Sequence, residues 1–151
     1  MVENAEFQDY VAISEVKARY CRAMDTKDWT TFADVFTEDF ELDTTAAGGT
    51  SVVRGREACV TAIRSWVETA QTAHQVHSPE MRINGDVAEV IWAMQDRVIW
   101  SNARRPRPDM GGHTGFGHYH KRYERSGGRW RIAKQRLTRL VVEFHPPKDE
   151  S

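Results

Sequence analysis

Cysteine is scarce in this 151-residue chain: Cys21 and Cys59 are the two present, with neither the short paired spacing of a zinc site nor the density of a secreted disulfide scaffold. Both read as reduced core thiols. No apolar run approaches the ~20 residues that cross a bilayer, and the opening Met-Val-Glu-Asn-Ala-Glu-Phe has no basic start followed by an apolar stretch. The sequence therefore predicts a cytoplasmic protein with no membrane partner. Excess charge is missing too. Lys and Arg number 21 against 22 Asp and Glu, for a formal net charge of -1, which argues against a polyanion such as nucleic acid as the partner. There is no glycine-rich phosphate loop, no Gly-x-Ser-x-Gly elbow and no helical His-Glu-x-x-His. The histidines His74, His77, His113, His118 and His120 have no recognisable ligand spacing. No metal and no cofactor are expected.

What is present is a change of hydrophobic period along the chain. From about Phe7 to Met24, Ile13, Val16, Tyr20, Ala23 and Met24 recur three and four apart, with Glu15, Lys17, Arg19 and Arg22 between them, which predicts a long amphipathic helix. Asp28 can cap a second helix bearing Trp29, Phe32, Ala33 and Phe36, which feeds a strand carrying Phe40 and Leu42. The small, polar stretch Thr44 to Ser51 reads as a loop. A third helix follows Val52-Val53-Arg54-Gly55-Arg56-Glu57, with Cys59, Ile63, Trp66, Val67 and Ala70 as its buried stripe. Beyond Thr72 the pattern predicts strands at about 72–83, 86–101, 113–125 and 129–144, broken by the hairpin signals Asn84-Gly85-Asp86 and Ser126-Gly127-Gly128. The arginines of the 102–112 segment read as a solvated hairpin tip. Helices first and long antiparallel strands afterwards predict an α+β fold in one domain, residues 1–151, long enough to bury a core without a staple.

Polar residues in apolar company are the candidates for chemistry. Asp96 shares a strand face with Ala88, Val90, Trp92, Met94, Val98 and Trp100, and two readings stand open: pairing with an arginine, or a role in a pocket. His74 shares a face with Val76, where a histidine aimed into a pocket is a proton carrier near neutral pH. Asp25 is the carboxylate available to hold its ring. On a regular helix Asp25 lies about 140° around from the buried Tyr20, at about 100° per residue, so the two share a cavity only if the helix ends or distorts near Met24. His118 and His120 alternate with Tyr119. Arg136 shares a face with Trp130, Ile132 and Leu140, where it could stabilise an oxyanion or pair with Asp96.

The ordered set Arg19-Tyr20, Asp25, Trp29, Phe36, Asp39-Phe40, Val53-Arg54-Gly55-Arg56-Glu57, Thr72-Ala73-His74, Gly85-Asp86-Val87-Ala88, Tyr123-Glu124-Arg125 and Gly128-Arg129-Trp130-Arg131-Ile132 resembles the SnoaL-like branch of the nuclear transport factor 2-like superfamily over nearly the whole chain. The superfamily includes scytalone dehydratase, steroid isomerases and a bile-acid dehydratase. The resemblance implies a cone of three N-terminal helices on a curved antiparallel sheet enclosing one pocket. It implies a catalytic role for Asp25, His74 and Tyr20, with Asp96 and Arg136 near further site residues. It implies a cofactor-free acid–base lyase, a dehydratase, acting on a hydrophobic cyclic or aromatic molecule. Trp29 and Trp92, with Trp66 and Trp100, offer an aromatic wall, and His118 is expected, with Asp96 and Arg136, among the substrate-binding or supporting residues. An isomerase or cyclase, a non-catalytic binding module and an accessory subunit are the competing readings. Ile91, Ile99, Leu137 and Val141, set opposite the pocket face, predict a homodimer or homotrimer.

Overall fold

A computed structural model describes residues 2–148. Helix α1 runs from Val2 to Asp25, α2 from Trp29 to Asp34 and α3 from Arg56 to Val67. Six strands complete the molecule: β1 (Phe36–Asp43), β2 (Val52–Arg54), β3 (Ala70–Asn84), β4 (Val87–Trp100), β5 (Gly112–Ser126) and β6 (Arg129–His145). They form one curved sheet in the order β2-β1-β6-β5-β4-β3. Pairing is antiparallel except between β1 and β6, where the chain returns from the hairpins to lie parallel to the strand that follows α2. The helices close over the inner face.

The hairpins arise from local chemistry. Asn84 pairs with Val87 across a two-residue turn led by Gly85 at φ 62°. Ser126 pairs with Arg129 across Gly127 and Gly128, whose φ values of 59° and 75° are those that match the twist of antiparallel strands and that side chains resist. Pro79 is tolerated in β3 because this strand is the sheet's edge and its register shifts between Val76 and Pro79.

The core lies between α1, α2 and the inner sheet face, where Tyr20, Phe32, Phe36 and Phe40 interlock through ring contacts 4.2–5.9 Å apart. The far N-terminal part of α1 is pinned to the last hairpin: Trp130 Nε1 donates to Asp9 at 3.0 Å, and Arg125 pairs with the same carboxylate while lying over the indole. In α3, Cys59, Ile63 and Val67 form the buried stripe, whereas Trp66 is 48% exposed and Ala70 already belongs to β3. The 101–111 segment is a mostly exposed loop, in which Arg107 pairs with Asp109.

Strand β6 departs from simple alternation. Its register against β5 passes from Ile132 opposite Tyr123 to Lys134 opposite Arg122, so Ala133 is an extra residue, and Leu140 is a second one between Arg139 and Val141. Each bulge reverses which side chains face inward. Trp130 and Ile132 are inside before the first bulge; Gln135, Leu137 and Arg139 are inside after it. Arg136, placed inward by unbroken alternation, is therefore exposed on the outer face. Leu137, placed outside by the same logic, lines the interior. Exposed large apolar side chains include Leu140, Val141, Val142 and Phe144 at the end of β6, besides Phe7, Tyr10 and Val11 on α1.

Candidate active site

A cavity of about 210 Å³ opens between the helices and the inner sheet face. Helix α1 contributes Tyr20 and Met24, and α3 contributes Ile63, Trp66 and Val67. The strands add His74 from β3, Asp96, Val98 and Trp100 from β4, His113 and Tyr119 from β5, and Gln135, Leu137 and Arg139 from β6.

Asp25 is the last residue of α1 and is not a cavity wall; it stands behind His74. The helix stays regular through it, with Thr26 N–H still bonded to the Arg22 carbonyl at 2.9 Å. It then stops in a C-terminal cap. Lys27 takes φ 60°, its N–H bonds the Met24 carbonyl, and Asp28 N–H reaches back to Ala23 at 2.9 Å. Asp28 next accepts from Thr31 N–H and starts α2. No bend is needed for Asp25 to meet His74, because the edge strand β3 passes the end of the helix. The Asp25 carboxylate accepts from the His74 backbone N–H at 2.8 Å and the Thr72 hydroxyl at 2.9 Å, and it lies 2.6 Å from His74 Nδ1. A carboxylate at Nδ1 holds the proton there and leaves the Nε2 lone pair for the cavity. The His74 side chain is 6% exposed.

Across the sheet from His74, the register brings Asp96 and then Gly115 into line. Arg139 donates to both Asp96 oxygens, at 2.7 and 2.8 Å. His113 Nε2 lies 3.7 Å and His74 Nε2 4.0 Å from the same carboxylate. Burial alone would raise the Asp96 pKa, but the nearby His113 ring and the hydrogen bonds and charge of Arg139 hold it well below the usual carboxylate range. Gly115 keeps this pair in place, since a methyl group there would strike Arg139 Nη1 and Asp96 Oδ1. Gly115→Ala is expected to cost about 1–3 kcal/mol through forced displacement of the pair, measured as a lowered urea midpoint with unchanged slope.

Tyr20 is 2% exposed, accepts from Gln135 Nε2 at 3.2 Å, and is kept protonated by burial, which raises its pKa well above that of a free phenol. Tyr119, also in the wall, is raised for the same reason. Both are hydrogen-bond donors at any physiological pH.

Of the residues singled out from sequence, Tyr20, His74 and Asp96 meet at the cavity, with Asp25 directly behind. The others do not. Arg136 is turned out by the bulge at Ala133, and Arg139 occupies the place expected of it. His118 faces outward because Tyr119 faces inward, and its ring lies 6.2 Å from that of His120 on the outer sheet. Trp92 is buried in the core and donates to the Tyr123 hydroxyl at 3.1 Å. Trp29 packs on Phe32 at the start of α2. The aromatic wall comes from Trp66, Trp100 and Tyr119 instead. His113, Arg139, Tyr119 and Gln135 are not among the residues the sequence pattern singles out. Strand parity carried on from Tyr123 would have placed His113 inside, but Arg139 needed knowledge of the bulge.

Comparison with known proteins adds three likenesses. The chain is 28% identical over 137 residues to the Probable cyclase FGR4 of Gibberella zeae, covering 85% of this chain and 89% of that one. It superposes on a Mycobacterium tuberculosis protein of unknown function with a TM-score of 0.76 at 25% identity, covering 91% of this chain and 75% of that one. It shares its fold with the hexachlorocyclohexane dehydrochlorinase LinA-type3 of Novosphingobium barchaimii LL02, at a TM-score of 0.77 and 15% identity, covering 95% and 93%. The family model for the SnoaL-like domain matches residues 5–136. The chain belongs to the SnoaL-like domain family.

Proposed function

We propose that this protein is a cofactor-free acid–base lyase, a dehydratase of hydrophobic cyclic molecules, in which His74 takes a proton from carbon beside an activating group. The observation that carries this reading is the hydrogen bond between Asp25 and His74 Nδ1, 2.6 Å, with Nε2 left toward an apolar-walled cavity. Asp25 orients the ring and stabilises the imidazolium as it forms. The Tyr20 hydroxyl donates to the substrate oxygen on which charge builds. Arg139, neutralised by Asp96, sets the far wall and holds the charge balance beside Nε2. The departing hydroxide takes a proton as it leaves, the imidazolium being the nearest donor, so water is the only by-product. The fold shared with a dehydrochlorinase agrees with proton abstraction coupled to loss of a leaving group.

A cavity of about 210 Å³ suits a substrate of one or two rings, since a cavity of ~150 Å³ already holds benzene. Hydroxylated cyclic ketones and aromatic precursors are the class to screen, in buffer without added cofactor. Appearance of a conjugated double bond by ultraviolet absorbance supports dehydration. Binding without turnover across the class leaves a binding module. The cyclase name of the Gibberella zeae relative favours one second reading, ring closure or double-bond shift by the same base, which would yield product of unchanged mass.

We also propose that the exposed Leu140, Val141, Val142 and Phe144 meet another copy, as a homodimer or homotrimer. Light scattering at micromolar concentration is expected to give two or three times the chain mass, and a monomer there would end the idea.

A further inference from the structure

Two lysines in the core are unused by the proton-transfer reading. Lys17 of α1 is fully buried and Lys121 of β5 is 2% exposed. Neither ammonium group has a hydrogen-bond acceptor of carboxylate, carbonyl or hydroxyl type among the described residues. They face aromatic rings instead. Lys17 Nζ lies 3.9 Å from the Tyr20 ring centre and 3.6 Å from that of Tyr119, and Lys121 Nζ lies 3.5 Å from the Tyr20 centre.

An isolated ammonium ion in a dry interior is costly, and two side by side repel. The pair is relieved by holding one proton. Burial lowers the Lys17 pKa to about 8, the Cys21 thiol and the neighbouring amine supporting its charge, while burial and the Lys17 charge drive Lys121 far below its ordinary value. Burial and mutual repulsion thus favour one proton held between the two amines over two. The faces these groups press on belong to the two tyrosines whose side chains form part of the cavity wall. A cation against a phenol face, buried from solvent, strengthens that phenol as a donor and favours negative charge on whatever accepts from it.

We propose that Lys17 and Lys121 are positioning residues that hold one shared proton against Tyr20 and Tyr119, so that the two hydroxyls favour an anionic oxygen, an enolate or phenolate, in the cavity. The inference deepens the proton-transfer reading, because an enolate is what abstraction beside a carbonyl creates. The other groups around the pair are Cys21 on α1, Tyr123 on β5 and the Gln135 amide on β6; Asp96 and Arg139, beyond the hydroxyls, offset one another.

The test is binding, so it does not depend on finding the substrate. 4-Nitrophenolate and the uncharged 4-nitroanisole are titrated into the wild type, Lys17→Met and Lys121→Met, each variant checked for folding by circular dichroism. Lys17→Met is expected to weaken phenolate binding about tenfold and to leave nitroanisole unchanged. In a Tyr20→Phe/Tyr119→Phe background the same substitution should have little further effect, since the charge acts through the hydroxyls. In the wild type, phenolate affinity should fall as pH rises through about 8, where the shared proton leaves. Equal loss of both probes, an undiminished effect in the double-phenylalanine background, or phenolate affinity constant across that pH range would each overturn the proposal. If the methionine variants do not fold, the wild-type titration decides. A protein that favours phenolate yet turns over nothing refutes the lyase reading and not this one.

Discussion

His74→Ala is expected to lower kcat/KM for dehydration of a hydroxylated cyclic substrate by about 100- to 10,000-fold, the usual contribution of a positioned general base. Circular dichroism should be unchanged, because the side chain faces a cavity and the backbone N–H that Asp25 accepts remains. Asp25→Asn is expected to cost about 10- to 100-fold, as for a residue that orients another. Its reason is the tautomer. If the amide oxygen keeps the His74 backbone N–H, the amide NH₂ is presented to Nδ1, which must then accept and give up its proton to Nε2. The cavity would meet a donor where it needs a lone pair. A His74→Ala variant with wild-type turnover would remove the mechanism altogether.

The second large effect is on stability. Arg139→Met strips the bidentate partner from a carboxylate that is 4% exposed, and about 3 kcal/mol is expected, toward the lower end for a broken buried pair because His113 stays nearby. The pH dependence should change sign. In the wild type the Asp96 pKa is depressed below its unfolded value of about 4, so the folded state binds its proton less tightly. That stabilisation is present above about pH 4 and is lost as pH falls below it. Without Arg139 burial prevails and lifts the pKa above the unfolded value, so the variant should lose stability as pH rises from 4 toward neutral. Urea midpoints from pH 4 to 7 measure this; parallel profiles for the two proteins would show that Asp96 does not depend on Arg139.

The order of elements was legible from period and turn chemistry, because Gly85 and Gly127-Gly128 readily take the positive φ that tight hairpin turns need and the strands between them alternate cleanly. The meeting of Asp25 and His74 was legible through resemblance alone. Helical geometry argued against it, since a helical wheel says where a residue points along a continuing helix and nothing about a strand that crosses the helix end. Arg136 was misplaced because a one-residue bulge leaves no signature in hydrophobic alternation when the extra residue, Ala133, is itself apolar and small. Lys17 looked like one of the charged residues of the exposed face. Its position four after Ile13 and three before Tyr20 puts it on the buried stripe, yet charge outweighs spacing in any reading that lacks the partner strand.

The placing of Asp25 reaches beyond the imidazole. Strand β3 is the outermost of the sheet, and a bare strand edge is a template for pairing with another chain. By accepting the His74 backbone N–H, Asp25 occupies a rung that a foreign strand would otherwise take, and Lys27 and Thr72 are joined beside it at 3.0 Å. One carboxylate thus blocks pairing along this strand edge while it holds the His74 ring. Asp25→Ala, which frees that rung, is expected to show as aggregate by light scattering as well as in any assay of rate.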